Sequence, residues 1–169
     1  MALPKKLKYC ALFNDGNAYL HEASEVVLPK LARVFEDYRA GGMDSPIKSD
    51  MGGQPLTLEW TLGGMLEEIY TQMGAETHDA VGLRFVGSYQ SDDNPEPMAV
   101  EVEVRGRHEE IDPGTAKTGD TTSVKVVSQL SYYKLTINGR ELVEIDVLNM
   151  VYKIDGNDRL EKHRSILGV

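Results

Sequence analysis

Acidic side chains are the first candidates for chemistry in this chain, because two facing carboxyl groups can act as general acid and general base. Three acidic pairs are adjacent in the sequence: Glu67-Glu68, Asp92-Asp93 and Glu109-Glu110. The side chains of neighbouring residues point away from each other in both helices and strands. None of these pairs therefore predicts an acid–base site.

Histidine, cysteine and glycine also lack the spacing of a known site. The histidines are far apart, without the short intervals of zinc ligands, and we expect them on the solvated surface: His21, His78, His108 and His163. A single cysteine, Cys10, excludes an internal disulfide, and we expect it to be a small apolar residue of a strand. The glycine pairs do not follow a phosphate-binding pattern. The sequence predicts no enzyme, no catalytic residue, no metal and no cofactor.

Length and charge narrow the class of protein further. The 169 residues fit a single domain, residues 1–169, that is long enough to bury a core. With 18 basic and 27 acidic residues the formal charge is −9. This charge argues against a nucleic-acid-binding protein, because such binding depends on Lys and Arg. We find no long apolar run and no leader pattern, so we expect a soluble protein that is not exported by a signal peptide.

A long hairpin over residues 131–154 organises the rest of the chain. Asn138-Gly139 lies between two apolar runs and is a strong signal for a two-residue turn. The turn predicts that Leu135 faces Leu142 and Tyr133 faces Glu144 on one side. On the other side it predicts two inter-subunit contact pairs, Lys134 with Val143 and Tyr132 with Ile145. Because neither side is cleanly polar, the hairpin is either central in a sandwich or covered by another copy.

The strand that enters this hairpin is predicted to begin at Val124, fourteen residues before the turn. A strand of that length is as long as a compact domain of this size is wide, so it must bend or protrude. Its length therefore favours cover by another copy. The polar residues Ser128, Gln129 and Ser131 interrupt its apolar run, and we expect a β-bulge there.

The remaining segments alternate between strands and turns. Two strands are predicted within residues 19–38, and a strictly alternating strand at residues 56–62. Further strands are predicted at residues 81–90 and 98–109. In the last of these, three valines face the core, while Glu101, Glu103, Arg105 and Arg107 face outward. A short helix follows Gly63-Gly64, with Gly74 as its left-handed C-terminal glycine. Asp158 and Glu161 have capping-box spacing for a C-terminal helix over residues 158–167, which should dock through Leu160, Ile166 and Leu167.

Residues 39–53 are predicted to form a long loop. The segment contains four glycines and no helical period, and loops of this length usually have a function or are disordered. Met43, Ile47 and Met51 are apolar groups that exposed linkers usually lack. The segment is interpreted as an interaction loop, with a simple surface excursion as the alternative.

Several unusual strings together resemble the major tail tube proteins of contractile-tailed bacteriophages and R-type pyocins. They are LPKLARVFEDYRAGGMDSPIKSDMG, EWTLGG, VEVRGRHEEIDPG, SYYKLTINGRELVEIDVLNMVYKIDGNDRLEKHR and the terminal LGV, and they cover nearly the whole chain in order. The resemblance implies a mainly β fold. Its core is an antiparallel β-sandwich or barrel-like, with one flanking helix, a long inter-ring loop and a short C-terminal helix.

The same resemblance implies a structural function. Hexameric rings of the subunit stack into a tube inside a contractile sheath, and contraction drives this conduit into the target cell. The implied partners are other copies, the sheath, the baseplate and tail terminator proteins and transiting DNA, with no small-molecule substrate. The implied location is the virion tail or pyocin particle, assembled in the host bacterial cytoplasm. The loop that bridges rings in the family corresponds here to the following residues: Arg39, Gly41, Gly42, Met43, Asp44, Ile47 and Met51.

The large acidic charge suggests a use inside such a tube. A negative lumen would repel phosphates, and the outward residues Glu101 and Glu103 are the candidate lumen acids. The alternative is that the acids only keep the subunit soluble. Two other functions remain open: a tube subunit of a type VI secretion system, and a β-sandwich hydrolase or binding module. The latter needs a pocket with convergent polar groups.

Overall fold

The computed structural model describes residues 2–169, which form twelve strands and two short helices. The strands are β1 (Lys6–Asn14), β2 (Asn17–Ala18), β3 (Ala23–Val27), β4 (Arg33–Tyr38), β5 (Ile47–Gly53), β6 (Leu56–Leu62), β7 (Val81–Gln90), β8 (Met98–Asp112), β9 (Val124–Ile137), β10 (Arg140–Asp146), β11 (Val151–Ile154) and β12 (Asn157–Asp158). The helices are α1 (Glu67–Gln72) and α2 (Glu161–Leu167). The predicted mainly β, antiparallel fold with a flanking helix and a C-terminal helix is confirmed.

Strand β9 joins the two parts of the main sheet. Its first half pairs with β6, from Val124 opposite Leu62 to Leu130 opposite Leu56, whereas its second half pairs with β10. Strand β8 follows β9 through both halves, and Ser131 is the extra residue between them. The bulge predicted near Ser131 is therefore confirmed, and it marks the point where β9 exchanges one partner strand for another.

Gly106 allows β8 to approach β9 closely at this point. A Cβ atom added to Gly106 would lie 2.0 Å from the carbonyl oxygen of Gln129, far inside van der Waals contact. Only glycine fits this position without movement of the backbone. The close contact of the two strands at this bulge thus depends on one small residue in β8 and one extra residue in β9.

The core lies between β6 and the inward faces of β7, β8 and β9. The predicted inward residues of β6 are all buried: Leu56, Leu58, Trp60 and Leu62. The valines of β8 are also buried, as their alternation predicted: Val100, Val102 and Val104. From β7, the buried side chains of Leu83 and Phe85 complete the same cluster.

The hairpin turn is confirmed, but the predicted strand register is wrong beyond it. Asn138 and Gly139 have φ values of 49° and 79°, as a type I′ turn requires. Three residues after Gly139, Leu142 is bulged out of the ladder, because Glu141 pairs with Thr136 while Val143 pairs with Leu135. Every later pair is therefore shifted by one residue from the prediction. Because side chains alternate between the two faces of a strand, the shift moves each later residue of β10 to the face opposite the predicted one.

This shift separates the four predicted inter-subunit residues. Val143 and Ile145 lie opposite Leu135 and Tyr133 and pack against the core. Tyr132 and Lys134 lie on the other face of the sheet, opposite Asp146 and Glu144. The chain then turns again, with Met150 at a φ of 51°, and β11 adds a further antiparallel strand beside β10.

The predicted long loop is also wrong in part, because its second half is strand β5. Ile47 lies opposite Tyr38 and Lys48 lies opposite Asp37, so β4 and β5 form a separate two-stranded sheet. The glycine and serine content of β5 hides this pairing from a local analysis. We call residues 33–53 the arm; only residues 39–46 connect its two strands.

Both helices differ from their predicted ends. In α1, Ile69 is buried in the core. The C-cap Met73 has a right-handed helical conformation, and Gly74 does not have the positive φ that was predicted for it. Helix α2 begins at Glu161 and has no side-chain N-cap, since Asp158 belongs to β12. Its Ile166 and Leu167 are exposed, so the predicted docking through them is wrong and only Leu160 is half-buried. Within residues 2–169 no helix is long and apolar enough to span a membrane.

Candidate assembly surfaces

The arm has one apolar face and one charged face. The apolar face carries four apolar side chains that are 38 to 58% exposed, Val34, Tyr38, Ile47 and Met51, with the pair Glu36 and Ser49 between them. The charged face carries two ion pairs, Arg33–Asp50 at 3.0 Å and Lys48–Asp37 at 2.6 Å, together with Phe35. A two-stranded sheet is only marginally stable by itself, so its exposed apolar face is available for a partner.

The base of the arm is tied to the main sheet by Arg33. The Arg33 Nε donates to both carboxylate oxygens of Asp50, at 3.2 and 3.0 Å, and the guanidinium lies 5.0 Å from the centroid of the Tyr152 ring on β11. The hydrogen bonds from Arg33, and a further one from the Gly52 amide, lower the pKa of the Asp50 carboxyl. Asp50 therefore stays ionised and holds Arg33 in place over Tyr152.

All seven predicted inter-ring residues lie on the arm. Arg39 and Met43 close the connecting turn, because the Arg39 Nε donates to the Met43 carbonyl at 3.1 Å and the Met43 amide donates to the Ala40 carbonyl at 3.2 Å. Gly41, Gly42 and Asp44 lie in the same turn and are exposed. Ile47 and Met51 follow on the apolar face of β5. Their contact with another ring stays a prediction.

An open apolar groove begins at the base of the arm and continues along β10 and β11. Its volume is about 580 Å³. The apolar lining residues include Leu31, Pro55, Leu130, Val143, Ile145, Val147, Ile154 and Leu160. The predicted inter-subunit residues Val143 and Ile145 thus lie together here. The groove was not predicted, because it requires the β10 register and the position of the arm. Its lining suits apolar contact.

A row of alternating charges crosses the opposite face of the main sheet. Cross-strand pairing places Arg84 opposite Glu103, Glu103 opposite Lys134, and Lys134 opposite Glu144. The same register continues from Glu144 to Lys153 on β11 and from Lys153 to Asp158 on β12. We call these six residues the charged row. It contains three bases and three acids in strict alternation, one from each of six neighbouring strands.

The candidate lumen acids Glu101 and Glu103 lie on this face, and each has a base beside it. Glu101 is 3.5 Å from Arg84, and Glu103 is 3.4 Å from Lys134. Burial is the largest single effect and lowers the pKa of the Lys134 ammonium, but Glu103, Tyr132 and Glu141 together outweigh it, and the result is a raised pKa. Lys134 also lies 3.7 Å from Glu141, so two acids share this one base. The position of Glu101 and Glu103 in a lumen stays a prediction.

A buried polar cluster connects α1 to the sheet, and it corrects the predicted surface position of His108. The His108 Nδ1 lies 2.9 Å from the Ser128 hydroxyl, and its Nε2 lies 3.0 Å from the Gln72 Oε1. Trp60 Nε1 donates to the Ser128 hydroxyl, which leaves that hydroxyl free to donate to Nδ1. The burial of His108 could have been predicted from the sequence, because His108 continues the inward alternation of the β8 valines.

Burial lowers the pKa of the His108 imidazole, against an opposing effect of the Asp15 charge, so the ring is neutral. The Trp60 ring lies 6.0 Å from the rings of both His108 and Tyr19, and the Tyr19 hydroxyl donates to the Glu68 carboxylate. Burial and then this hydrogen bond raise the pKa of Tyr19. These contacts fix α1 on the core. They provide no open site, and no cluster of three metal-binding side chains occurs among residues 2–169.

Comparison with known proteins gives one consistent result. Residues 4–168 match a family model described as phage tail tube protein FII. The chain is 46% identical over 172 residues to the tail tube protein of Escherichia phage P2, covering all of both chains. It is 42% identical over 160 residues to the major tail tube protein of Serratia phage KSP20, covering 94% of this chain and 92% of that protein.

A solved structure supports the fold independently. It is a chain from the sheath-tube complex of an extracellular contractile injection system in its extended state. The TM-score is 0.59 at 11% identity, over 79% of this chain and 91% of the other. At such low sequence identity, this likeness shows only that the two chains share a fold.

Proposed function

The chain belongs to the phage tail tube protein family, as the resemblance of its sequence segments predicted, and from this premise we propose how its copies assemble. It is a structural subunit of a tail tube and a component of the virion tail. In the proposal six copies close into a ring, and rings stack into the inner tube of a contractile tail. The alternative of a type VI secretion tube is set aside, because the matched family and relatives are phage proteins.

The exposed apolar face of the arm carries this proposal. Val34, Tyr38, Ile47 and Met51 lie on a two-stranded sheet that is separate from the main sheet, and the subunit itself leaves this face uncovered. Covering large apolar side chains of this exposure contributes on the order of 1 kcal/mol each. A neighbouring copy that covers them stabilises the arm and links two subunits in one step.

The groove along β10 and β11 is the proposed acceptor on the neighbouring copy. Every copy carries both an arm and a groove, so a contact between different surfaces of two copies repeats without limit, as a ring or tube requires. Leu31 and Gly53 at the base of the resident arm also line the groove. An incoming arm therefore lies beside the resident one, and the apolar surface continues from copy to copy.

The proposed role is structural and involves no catalysis. The groove is lined mainly by apolar side chains, and the buried polar cluster around His108 is closed and internally satisfied. A hydrolase or binding module would need convergent polar groups in an open pocket. The sheath around the tube, and baseplate and terminator proteins at its ends, complete the proposed set of partners, with DNA passing through the lumen.

A pair of matched substitutions on the arm tests the proposal. Ile47→Asp places a charge on the apolar face, whereas Phe35→Asp places the same charge on the other face at similar exposure, 55% against 52%. We expect Ile47→Asp to remain folded by circular dichroism and to lose tubes in negative-stain micrographs, while Phe35→Asp still assembles. Tubes formed by both variants would overturn the assigned role of the apolar face.

Cross-linking tests the groove as the acceptor. In a Cys10→Ser background, Ile47→Cys and Val147→Cys together should form disulfides between copies under mild oxidation, giving a ladder of oligomers in a non-reducing gel. Leu148 is next to Val147 and similarly exposed but does not line the groove, so Leu148→Cys with Ile47→Cys is the control. Equal ladders from both pairs would contradict docking of the arm in the groove.

A further inference from the structure

Arg33 makes the one polar contact in residues 2–169 that joins the arm to the main sheet. Its guanidinium lies 5.0 Å from the centroid of the Tyr152 ring on β11. The other hydrogen bonds and ion pairs of the arm stay within the arm and the segments that enter and leave it. Strands β4 and β5 pair with each other and with no strand of the main sheet. The direction of the arm therefore depends on few contacts.

Two short segments attach the arm to the rest of the chain. Residues 28–32 lead into β4, and residues 54–55 lead from β5 into β6. The Gln54 amide donates to the Ala32 carbonyl at 2.9 Å, so the two segments lie side by side. Two attachment points define an axis, and they leave rotation of the arm about that axis free. The contact of Arg33 with Tyr152 is a third point, and three points fix the direction of the arm.

Asp50 holds the Arg33 side chain in the position that this contact needs. Its carboxylate accepts from the Arg33 Nε at 3.2 and 3.0 Å and from the Gly52 amide at 2.9 Å. Gly52 lies in a bulge of β5, with a φ of 113°, between the pairs Arg33–Gly53 and Phe35–Asp50. A bulge bends its strand. One carboxylate thus stabilises both the bend at the base of the arm and the position of the guanidinium.

The Arg33–Tyr152 contact also crosses the groove. Arg33 belongs to the side formed by the base of the arm, and Tyr152 belongs to the side formed by β10 and β11. A cation–π contact acts within about 6 Å of the ring centroid, so the observed 5.0 Å leaves about 1 Å of movement between the two sides. One contact therefore fixes the direction of the arm relative to the groove of the same copy.

We propose that the Arg33–Tyr152 contact sets the angle between successive copies and, through it, the number of copies in a ring. This inference rests on the proposed docking of the arm in the groove. A contact between two different surfaces closes a ring only if the rotation from copy to copy divides a full turn. Six copies require about 60° per step and seven require about 51°, so a change of about 9° alters the ring. At the tip of an arm about 20 Å long, that change is a shift of about 3 Å.

Two substitutions of Tyr152 separate the effect of the aromatic ring from that of side-chain bulk. Tyr152→Phe keeps the ring face over which the Arg33 guanidinium lies, whereas Tyr152→Leu replaces it with an aliphatic side chain. We expect Tyr152→Phe to form tubes of the same uniform diameter as the parent protein in negative-stain micrographs. Tyr152→Leu should remain folded by circular dichroism, and the spread of its ring and tube diameters should be about twofold broader or more.

Arg33→Gln tests the same contact from the arm, with Tyr152 unchanged. It should broaden the diameters as Tyr152→Leu does. The matched control is Lys48→Gln, which removes the same charge and one ion pair from the same face of the arm, at a residue that does not contact Tyr152. This control should give the uniform diameter of the parent protein.

A distance measurement in the unassembled subunit decides the case in which a variant forms no tubes. Spin labels are attached at Asp44→Cys in the turn of the arm and at Glu110→Cys on β8, in a Cys10→Ser background; both labelled positions are exposed. Double electron–electron resonance is recorded below the concentration of tube formation. The distance distribution should be narrow for the parent protein and Tyr152→Phe, and broader for Tyr152→Leu and Arg33→Gln.

Three results would overturn the proposal: uniform diameters in Tyr152→Leu, a distance distribution in Tyr152→Leu as narrow as that of the parent protein, or equal broadening in Tyr152→Phe. Ile47→Asp tests the arm as an assembly surface separately. Uniform tubes from Tyr152→Leu, together with loss of tubes in Ile47→Asp, would reject this inference and leave the proposed function intact.

Discussion

Glu144 lies directly opposite Lys134 because Leu142 is an extra residue in β10. Without the bulge, Val143 would take that position, and the apolar and charged residues of β10 would exchange faces. The bulge therefore has two consequences at once. It completes the charged row on one face, and it turns Val143 and Ile145 into the groove on the other.

Deletion of Leu142 should be tolerated, because Glu141 and Val143 already pair with the consecutive residues Thr136 and Leu135. We expect a loss of about 1 kcal/mol in the free energy of unfolding, from the hydrogen bond between the Leu142 carbonyl and the Asp155 amide. Deletion of Glu144 should cost more, about 2–3 kcal/mol, because it turns either Val143 or Ile145 from the core side of β10 to the other face. Urea unfolding measures both; a smaller loss for the Glu144 deletion would contradict the assigned register.

His108 should make stability depend on pH in the weakly acidic range. Its folded pKa is lowered, so the unfolded chain takes up a proton that the folded chain resists. This contribution is complete above the unfolded pKa of about 6.5 and is lost as the pH falls below it. His108→Gln should cost about 1–3 kcal/mol at neutral pH, from lost hydrogen bonds in the core. It should also flatten the decline in stability between neutral pH and pH 5.

The control for His108 is the exposed residue His21. His21→Gln should leave both the free energy of unfolding and its pH dependence close to those of the parent protein, within about 0.5 kcal/mol. Chemical unfolding at several pH values compares the three proteins. A pH dependence in His108→Gln that equals that of the parent would show that other groups cause it.

Local sequence patterns predicted the elements whose structure depends on neighbouring residues alone. The alternation of β6 identified its four buried residues, and Asn138-Gly139 identified the hairpin turn, because both signals act within a few residues. The Leu142 bulge and strand β5 were missed. Each depends on a partner strand, and the pairing that stabilises it is not visible in its own composition.

The assembly surfaces also differ in whether the sequence could predict them. The seven residues predicted on the arm came from resemblance to the family, and they lie together on one structural unit. The groove and the charged row each combine side chains from several strands, and both depend on the β10 register. An error of one residue in the predicted β10 register was enough to leave both surfaces unpredicted. The buried His108 was different, because its alternation with the β8 valines was present in the sequence.

Asp158 and Arg164 hold α2 against the end of the main sheet. The Arg164 Nη2 donates to the Asp158 Oδ2 at 2.5 Å, and its Nη1 donates to the Met150 carbonyl at 2.6 Å. The Asp158 Oδ1 accepts the Leu160 amide at 3.0 Å. Because the apolar residues Ile166 and Leu167 are exposed, these polar contacts and Leu160 provide the attachment of the helix.

Acid should therefore release α2. The Arg164 hydrogen bond, and secondarily the Leu160 amide, lower the folded pKa of Asp158. A carboxyl with a lowered pKa adds stability above its unfolded pKa of about 4, and that stability is lost as the pH falls through the folded value. Asp158→Asn should lower the melting temperature at pH 7, and the difference from the parent should close below about pH 4. The exposed pair Asp155–Arg140 supplies the control, since Asp155→Asn removes a surface ion pair that contributes little. If Asp158→Asn and the parent differ as much at pH 3 as at pH 7, the ion pair is not what attaches the helix.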